Sequence, residues 1–295
     1  ERFASPQSWH LPQSGRTAWG LLLFKIIEFE LRVSNSKPFT ESGVHRINLI
    51  GFPEKSPLKS NNKQNMNQIK KISVIIAAYH GEKYIGEQLE SLFRQTRIPD
   101  EILIGDDSSD DKTFQAVKAV RSHYTGKLKY FRNTPKSEIC ANFEKLYKTA
   151  TGEIVFFCDQ DDVWLPEKIE KMTEEMLKYP QCDLLFCDSY CTDSQLTHSG
   201  ETIFSLYGIT LQDIQLINNL KAFPLLIMRD IPFSGHDIAL RKPLSYNIFP
   251  FTSNLGAYHD QHLGYLTSYM GRMRCLPEPL TLYRRHESNV SVLYS

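Results

Sequence analysis

Short apolar runs alternate with segments of helical periodicity along the chain from Ile72 onward. The run ISVIIAAY at 72–79 is rich in β-branched residues and apolar on both faces, which predicts a strand buried within a parallel sheet. Four more runs predict strands of this kind: EILIG at 101–105, LKYF at 128–131, EIVFFC at 153–158 and DLLFCD at 183–188. Apolar residues three or four positions apart predict amphipathic helices between and after these strands, with stripes at Ile85, Leu89, Leu92 and Phe93, at Phe114, Val117 and Val120, at Ile139, Phe143, Leu146 and Tyr147, and at Ile169, Met172 and Met176.

This succession of strands and helices predicts an α/β fold with a mostly parallel, Rossmann-like central sheet and helices on both faces. Ligands of such sheets bind beyond the carboxyl ends of the strands. Carboxylates follow three of the predicted strands: Asp106 and Asp107 after the second, Asp159, Asp161 and Asp162 after the fourth, and Asp188 after the fifth. We therefore expect a polar ligand at this edge of the sheet.

The first 65 residues differ from the rest because they show no sustained periodicity. We expect residues 1–65 to be an N-terminal extension outside the main fold, and a single domain to occupy residues 66–295, beginning near Met66. The apolar segment at 20–33 carries Lys25, Glu28, Glu30 and Arg32, which favours a short buried or amphipathic helix over a membrane span.

Composition excludes several classes of protein. The 34 basic and 34 acidic residues balance, so no overall field attracts nucleic acid. The six cysteines form no Cys-x-x-Cys pair and several lie in apolar runs, which favours reduced thiols in a cytosolic protein. No run reaches the roughly 18–20 apolar residues that a membrane-spanning helix needs.

The stretch FFCDQDDVWLPEK at 156–168 places three carboxylates within four positions, and like charges this close repel unless a cation or hydrogen bonds hold them. A calcium loop of the EF-hand type is excluded because Trp164 stands where that loop requires glycine. A haloacid-dehalogenase-type phosphohydrolase, with Asp159 as nucleophile and Asp161 as acid, fits the local motif, but that motif normally opens its domain. The third interpretation is a site that holds a nucleoside diphosphate through a divalent cation.

Six segments, in order, resemble family 2 glycosyltransferases with the GT-A fold, close to the rhamnosyltransferase-like members. The resemblance covers about residues 70–291 and rests on ISVIIAAYHGEKYIGEQLESLFRQT, EILIGDDSSDDKT, FFCDQDDVWLPEKI with its D-x-D and W-x-P-x-K patterns, FSGHDIALRK, YHDQHLGYL and LYRRHESNVS. Each segment alone is a weak signal, whereas six at family-like spacing are a specific one.

The resemblance implies an inverting transferase, dependent on Mg²⁺ or Mn²⁺, that moves a sugar from dTDP-rhamnose or a UDP-hexose. Residues 66–190 would bind the nucleotide sugar, and residues 191–295 would bind a saccharide or lipid-linked saccharide acceptor of surface-polysaccharide synthesis. The protein would then work in the cytoplasm, at the inner face of the cell membrane. A non-catalytic nucleotide-sugar-binding protein is the alternative from another class, and the presence of Asp260 argues against it.

The resemblance also assigns roles to individual residues. The nucleotide-sugar-binding residues would be Ala77, Tyr79, Glu82, Asp106, Asp107, Asp159, Gly235 and Arg284. Asp161 and His286 would bind the metal, and Asp260 would be the general base that takes a proton from the acceptor hydroxyl. Candidates for the acceptor side are Trp164, His236, Asp237 and His259.

Alternatives remain for three of these positions. Asp162 either lies beside the metal ligands or complements the N-terminus of the helix that is expected to begin at Pro166. Trp164 either stacks on a sugar or belongs to the core. Asp260 could also be the N-cap of its helix, and His259 stands where the family often has glutamate.

Overall fold

The computed structural model describes residues 71–221, 234–251, 258–287 and 289. The predictions of an extension at 1–65, of a helix at 20–33 and of a start near Met66 lie outside the described residues. Within the described part of the chain, no helix combines the length and the apolar character needed to cross a bilayer.

Four parallel strands form one half of the sheet. They are β1 (Ile72–Ala78), β2 (Glu101–Asp106), β3 (Lys127–Arg132) and β4 (Ile154–Cys158), which lie in the order β3-β2-β1-β4. The register places Ser73 opposite Glu101 and Ile72 opposite Ile154. β1, β2 and β4 are almost entirely buried, as expected for strands covered on both faces. The first four predicted strands are therefore confirmed.

The other half of the sheet mixes strand directions. It contains β5 (Val163–Trp164), β6 (Leu184–Thr192), β7 (His198–Thr202), β8 (Ile238–Arg241) and β9 (Met273–Arg284). The full order is β3-β2-β1-β4-β8-β6-β9-β5, with β7 paired to β6. β8 is antiparallel to both β4 and β6, so β4 and β6 point the same way with β8 between them. The fifth predicted strand exists as β6, and its carboxyl end lies at the same edge as that of β4.

The helices pack against this sheet. They are α1 (Ile85–Phe93), α2 (Lys112–Val120), α3 (Ile139–Thr149), α4 (Lys168–Lys178), α5 (Ile203–Leu206), α6 (Leu211–Leu216) and α7 (His259–Tyr269). Short 3₁₀ turns occupy Arg121–His123 and Gly235–Asp237, and a π-helical turn occupies Ile217–Lys221. The expected start of α4 at Pro166 is wrong, because the helix begins at Lys168 and the Pro166 carbonyl accepts a bond of 2.8 Å from the Thr96 backbone N–H.

The predicted apolar stripes mostly face the core. Ile85, Leu89 and Leu92 on α1 have no exposed surface, and Val117 on α2 is also buried. Phe114 is the exception at 38% exposed, because it packs at the rim of the sheet against the ring of Tyr130. All six cysteines are buried and unpaired in the structure, and their reduced state stays a prediction.

Candidate active site

The carboxylates of residues 159–162 occupy the turn between β4 and β5, and this segment is called the acidic turn below. Asp162 is buried, and its Oδ1 accepts a bond of 2.9 Å from the backbone N–H of Arg284. Its other oxygen, Oδ2, is enclosed without a hydrogen-bond partner in the described structure. Burial raises the pKa of Asp162 to about 8, despite the nearby positive charge of His236. The buried Oδ2 of Asp162 can therefore hold either a proton or a cation.

The imidazole of His236 lies against the acidic turn. Its Nδ1 is 3.8 Å from Asp159 Oδ2 and 3.7 Å from Asp162 Oδ2. Burial lowers the pKa of His236, but the charges of Asp237 and Asp162 outweigh it and raise the pKa well above the usual value. The ring also stacks on Tyr283, with centroids 4.9 Å apart. His236 therefore faces two carboxylates in a fixed orientation.

A second carboxylate–imidazole pair lies beside the first. His286 Nε2 is 2.9 Å from Asp161 Oδ2, and the His286 ring is 4.8 Å from that of Tyr84 on the loop before α1. Burial and the charge of Asp159 raise the pKa of Asp161, while His286 opposes the shift. The structure thus brings together the two residues that the resemblance named as metal ligands.

The donor set of the acidic turn fits a divalent cation. Ligand atoms of Asp159, Asp162 and His236 lie within 4.8 Å of one another, and the unpartnered Asp162 Oδ2 belongs to this group. Carboxylate oxygens are the ligands that Mg²⁺ and Mn²⁺ prefer, and imidazole is a common additional ligand. Asp162 lies before β5 and six positions from the start of α4, so its proposed role at a helix N-terminus is wrong.

Arg284 supports the acidic turn rather than projecting into open space. Its Nε donates to the Asp161 carbonyl and its Nη1 to the Ser194 carbonyl, each at 2.7 Å, and Nη2 pairs with Glu87. The guanidinium also lies 4.5 Å from the centroid of the Tyr84 ring. Because these partners occupy all three guanidinium nitrogens, the structure does not favour the expected contact of Arg284 with the nucleotide sugar. Its neighbour Arg285 is exposed.

The residues expected around the base and ribose lie at the carboxyl end of β1. Tyr79 is 48% exposed, with Lys136 Nζ 3.5 Å from its ring centroid. Its backbone N–H and carbonyl are both bound, at 3.0 Å, by the side-chain amide of Gln160. Glu82 keeps one enclosed carboxylate oxygen, Oε2, without a partner. Ala77 lies near the end of the strand, half-buried, opposite Gly105.

Asp106 and Asp107 have different surroundings. The carboxylate of Asp106 accepts from the backbone and side chain of Ser108 and from the Tyr130 hydroxyl, so it is occupied within the fold. Asp107 accepts from Asn133 and from the Ser137 backbone, each at 2.9 Å, and from Asn142 at 3.2 Å. Each carboxylate thus accepts three hydrogen bonds within the fold, but Asp106 has no exposed surface whereas Asp107 is 7% exposed. The expected contact of Asp106 with the nucleotide sugar is therefore not supported.

The candidate base, Asp260, lies in the first turn of α7. The N-cap of this helix is Tyr258, so the alternative role of Asp260 as N-cap is wrong. Burial raises the pKa of Asp260, and the neighbouring His259 and the backbone N–H groups of Gln261 and Gly235 oppose that rise. A carboxylate with a raised pKa is a stronger base, as proton abstraction requires.

His259 is buried beside this carboxylate. Its ring stacks on Phe143 at 4.1 Å and on Phe157 at 5.7 Å, and neither ring nitrogen has a hydrogen-bond partner. Burial lowers its pKa, so the ring is neutral at pH 7. A Cβ on Gly235 would lie 2.8 Å from His259 Nε2, so the absence of a side chain at Gly235 admits His259 rather than a sugar.

The expected acceptor-side positions of three residues are corrected by the structure. Trp164 is 2% exposed and packs on Phe156, so it belongs to the core and does not stack on a sugar. His236 and Asp237 are buried as well and face the acidic turn and Lys168 instead of an open acceptor groove.

A cavity of about 710 Å³ adjoins the Asp161–His286 pair through His286. It lies between the β6–β7 hairpin and the residues that follow β9. Its lining residues are Cys191, Thr192, Asp193, Thr197, His198, Ser199, Tyr283, Arg285, His286, Glu287 and Asn289. The lining mixes acidic, basic and hydroxyl groups, which suits a polar ligand without a strong net charge.

Sequence reasoning missed several contacts of the site. Lys168, the lysine of the W-x-P-x-K pattern, is fully buried, and that pattern was the signal that could have identified it. The bonds from Gln160 to Tyr79 carried no signal in the sequence. Asp188, expected at the same edge, accepts from the backbone N–H groups of Ser189 and Phe204, so it fixes the start of α5.

Comparison with known proteins identifies the class that this fold and site define. Residues 73–241, more than half of the 295-residue chain, match the model of glycosyl transferase family 2. The chain therefore belongs to this family, as the sequence motifs predicted, and its fold is the α/β GT-A fold.

Individual relatives agree with this assignment. An uncharacterized glycosyltransferase of Nostoc sp. is 28% identical over 226 residues, which is 74% of this chain and 66% of that protein. The UDP-Glc:alpha-D-GlcNAc-diphosphoundecaprenol beta-1,3-glucosyltransferase WfgD of Escherichia coli is 30% identical over 108 residues, 36% of this chain and 41% of WfgD. The chain thus spans two thirds or less of the length of these relatives.

A solved structure supports the fold alone. The mannosyltransferase PcManGT of Pyrobaculum calidifontis, in complex with GDP-Man and Mn²⁺, has a TM-score of 0.55 and 17% identity to this chain. The match covers 90% of this chain and 64% of PcManGT.

Proposed function

We propose that the protein is an inverting, divalent-metal-dependent glycosyltransferase that moves a sugar from a nucleoside-diphospho-sugar to a saccharide or lipid-linked saccharide. The observation that carries the proposal is the acidic turn, where Asp159, Asp161 and Asp162 meet two histidines at the carboxyl edge of the sheet. A divalent cation would supply the positive charge that this cluster of carboxylates lacks. The diphosphate would supply further oxygen ligands to the same cation.

The donor nucleotide is assigned to residues 66–190. Tyr79 offers an exposed ring to the base, Asp107 offers a carboxylate held by three donors, and Glu82 offers an unpartnered oxygen to a ribose hydroxyl. Asp159, which the resemblance assigns to the nucleotide sugar, belongs to the same acidic turn as the other carboxylates of the proposed metal site. A UDP-hexose or dTDP-rhamnose is the proposed donor, and WfgD, whose name includes UDP-Glc, supports a pyrimidine nucleotide.

Mg²⁺ or Mn²⁺ is the proposed cofactor, held by Asp159, Asp162 and His236 with Asp161 and His286 adjacent. When bound, it neutralises the diphosphate leaving group and so stabilises the developing charge. PcManGT, which has the same fold, was solved with Mn²⁺.

Transfer itself is assigned to Asp260. Its carboxylate takes the proton of the acceptor hydroxyl while that oxygen attacks the anomeric carbon, and the nucleoside diphosphate leaves from the opposite face, which inverts the configuration. The raised pKa of Asp260 and the neutral state of His259 suit this role, because no cation competes for the carboxylate.

The acceptor is assigned to residues 191–295. The name of WfgD specifies a lipid-linked GlcNAc diphosphate, which supports an acceptor of this class and a role in surface-polysaccharide synthesis. We therefore place the protein in the cytoplasm, at the inner face of the membrane where a lipid-linked acceptor would be presented.

A nucleotide screen tests the proposal. Thermal unfolding is measured with UDP, dTDP, GDP and ADP, each with Mn²⁺, with Mg²⁺ and with EDTA. We expect one diphosphate to raise the midpoint only when a metal is present, since ligands that bind the folded state stabilise it. If no diphosphate shifts the midpoint, the donor site is refuted. The phosphohydrolase alternative would be supported instead if the protein released phosphate from p-nitrophenyl phosphate and Asp159→Asn abolished that release.

A further inference from the structure

Lys168 is a buried cation directly behind the acidic turn. It is the first residue of α4 and has no exposed surface. Its Nζ donates to the His236 carbonyl and to Thr281 Oγ1, each at 2.6 Å, and lies 3.3 Å from Asp237 Oδ1. The Nζ atom also lies 4.2 Å from the centroid of the Trp164 ring. The ammonium is therefore surrounded entirely by protein groups.

Asp237 connects this cation to His236. Its Oδ1 faces Lys168 and accepts from Thr281 at 2.9 Å, while its Oδ2 accepts from Ser189 at 2.6 Å and lies 2.9 Å from His236 Nε2. The positive charges of His236 and Lys168 outweigh burial and lower the pKa of Asp237 to about 2. Through these contacts Asp237 fixes one nitrogen of His236.

The other nitrogen of His236 faces the acidic turn. A continuous chain runs from the Lys168 ammonium through Asp237 and His236 to the carboxylates of Asp159 and Asp162. Metal-binding histidines usually donate their second ring N–H to a carboxylate, which fixes the orientation of the ring. His236 has this arrangement.

We propose that His236, once its Nδ1 proton has left to solvent, binds the metal through Nδ1 together with Asp159 and Asp162, and that Asp237 and Lys168 are the positioning residues that hold it there. The inference rests on the proposed function, because it concerns the same metal. It adds to that function the ring nitrogen that binds the metal and the two residues, Asp237 and Lys168, that hold His236 in place.

The geometry favours positioning over general stabilisation. Buried ion pairs are often replaceable by apolar groups without loss of stability, so a folded core does not need this one. Lys168 instead joins three segments that meet at the site: α4 behind the acidic turn, the 3₁₀ turn carrying His236, and β9 through Thr281. The ammonium thereby sets the distance between His236 and the acidic turn.

The test compares Mn²⁺ affinity with stability in four proteins: wild type, Lys168→Met, the double variant Lys168→Met/Asp237→Asn, and the control Lys171→Met. Lys171 lies on the same helix but pairs at the surface with Glu167 and Glu278. Mn²⁺ binding is measured by paramagnetic resonance of the free ion, and unfolding midpoints are measured in EDTA.

We expect Lys168→Met to lower the midpoint and to weaken Mn²⁺ binding at least tenfold. The double variant should recover the midpoint, because no buried carboxylate is left without its cation, yet Mn²⁺ binding should stay weak, because His236 has lost its carboxylate. Lys171→Met should match wild type in Mn²⁺ binding.

If the wild-type protein binds Mn²⁺, two results would overturn this inference without overturning the proposed function. One is wild-type Mn²⁺ affinity in Lys168→Met, and the other is recovery of affinity together with stability in the double variant. Wild-type protein that binds no Mn²⁺, even with UDP present, would overturn the metal requirement of the proposed function and this inference together.

Discussion

Replacement of Gly235 by alanine tests how the candidate base is held. An added Cβ would lie 2.8 Å from His259 Nε2 and 3.1 Å from His259 Cε1. The His259 ring cannot retreat freely, because Phe143 and Phe157 stack against it at 4.1 and 5.7 Å. The same glycine donates its backbone N–H to Asp260, so relief of the clash must move either the ring or this hydrogen bond.

The expected cost follows from the overlap. Carbon and nitrogen atoms in contact normally lie about 3.5 Å apart, so the new methyl group would overlap the ring by about 0.7 Å at a buried position. Overpacking of this kind costs about 1–3 kcal/mol. Since Asp260 moves with the ring, we also expect kcat to fall about tenfold or more, as misplacement of a reacting group does.

Urea unfolding and donor turnover measure these effects. Gly86→Ala on α1 is the matched control, because its new Cβ would meet only Val120, at 3.9 Å, and alanine favours a helix. In a His259→Ala background the cost of Gly235→Ala should nearly vanish, since the clashing ring is absent. A free energy of unfolding for Gly235→Ala equal to that of wild type would refute the packing argument.

Three further substitutions or conditions have expected outcomes. Asp260→Asn should reduce kcat by about 10²–10⁴ in a transfer assay and leave the Kd for UDP unchanged; an unchanged kcat would remove Asp260 as the base. Mn²⁺ must displace a proton from Asp162, whose pKa burial raises to about 8, and from His236, whose pKa is also raised. Mn²⁺ affinity measured by calorimetry should therefore rise by about tenfold or more per pH unit from pH 6 towards pH 8; affinity independent of pH would contradict this. Trp164→Phe should lower the free energy of unfolding by about 1–2 kcal/mol, because buried apolar area is lost. The KM for the acceptor should not change, and a raised KM would support a role of Trp164 in stacking on a sugar.

The sequence predicted the parallel half of the sheet because β1, β2 and β4 each contain a continuous apolar run. The strands it missed lack that signal. β5 has two residues and β8 has four, which is too short for any periodicity. β9 is longer but contains Pro277 and Pro279, which interrupt a strand pattern, and its pairing with β6 is irregular at this point.

The candidate site, like the sheet, could be predicted from the sequence only in part. Asp159, Asp161 and Asp162 could be predicted together because they share one turn directly after a buried strand. His236 could be named but not placed, because its orientation depends on Asp237 and Lys168, which contact it only in the folded chain. Arg284 was expected to contact the nucleotide sugar, but the partners of its long side chain lie on three other segments of the protein.

Release of a nucleoside diphosphate from its sugar tests the central claim most directly. The enzyme is incubated, with and without Mn²⁺, with a sugar derivative of the nucleoside diphosphate that stabilises the protein most. Release of the nucleoside diphosphate is followed by a coupled assay. We predict release that stops in EDTA, resumes when Mn²⁺ is restored, and falls at least a hundredfold in Asp260→Asn, within the usual range for loss of a general base. Release that is indifferent to EDTA and to Asp260→Asn would contradict the account.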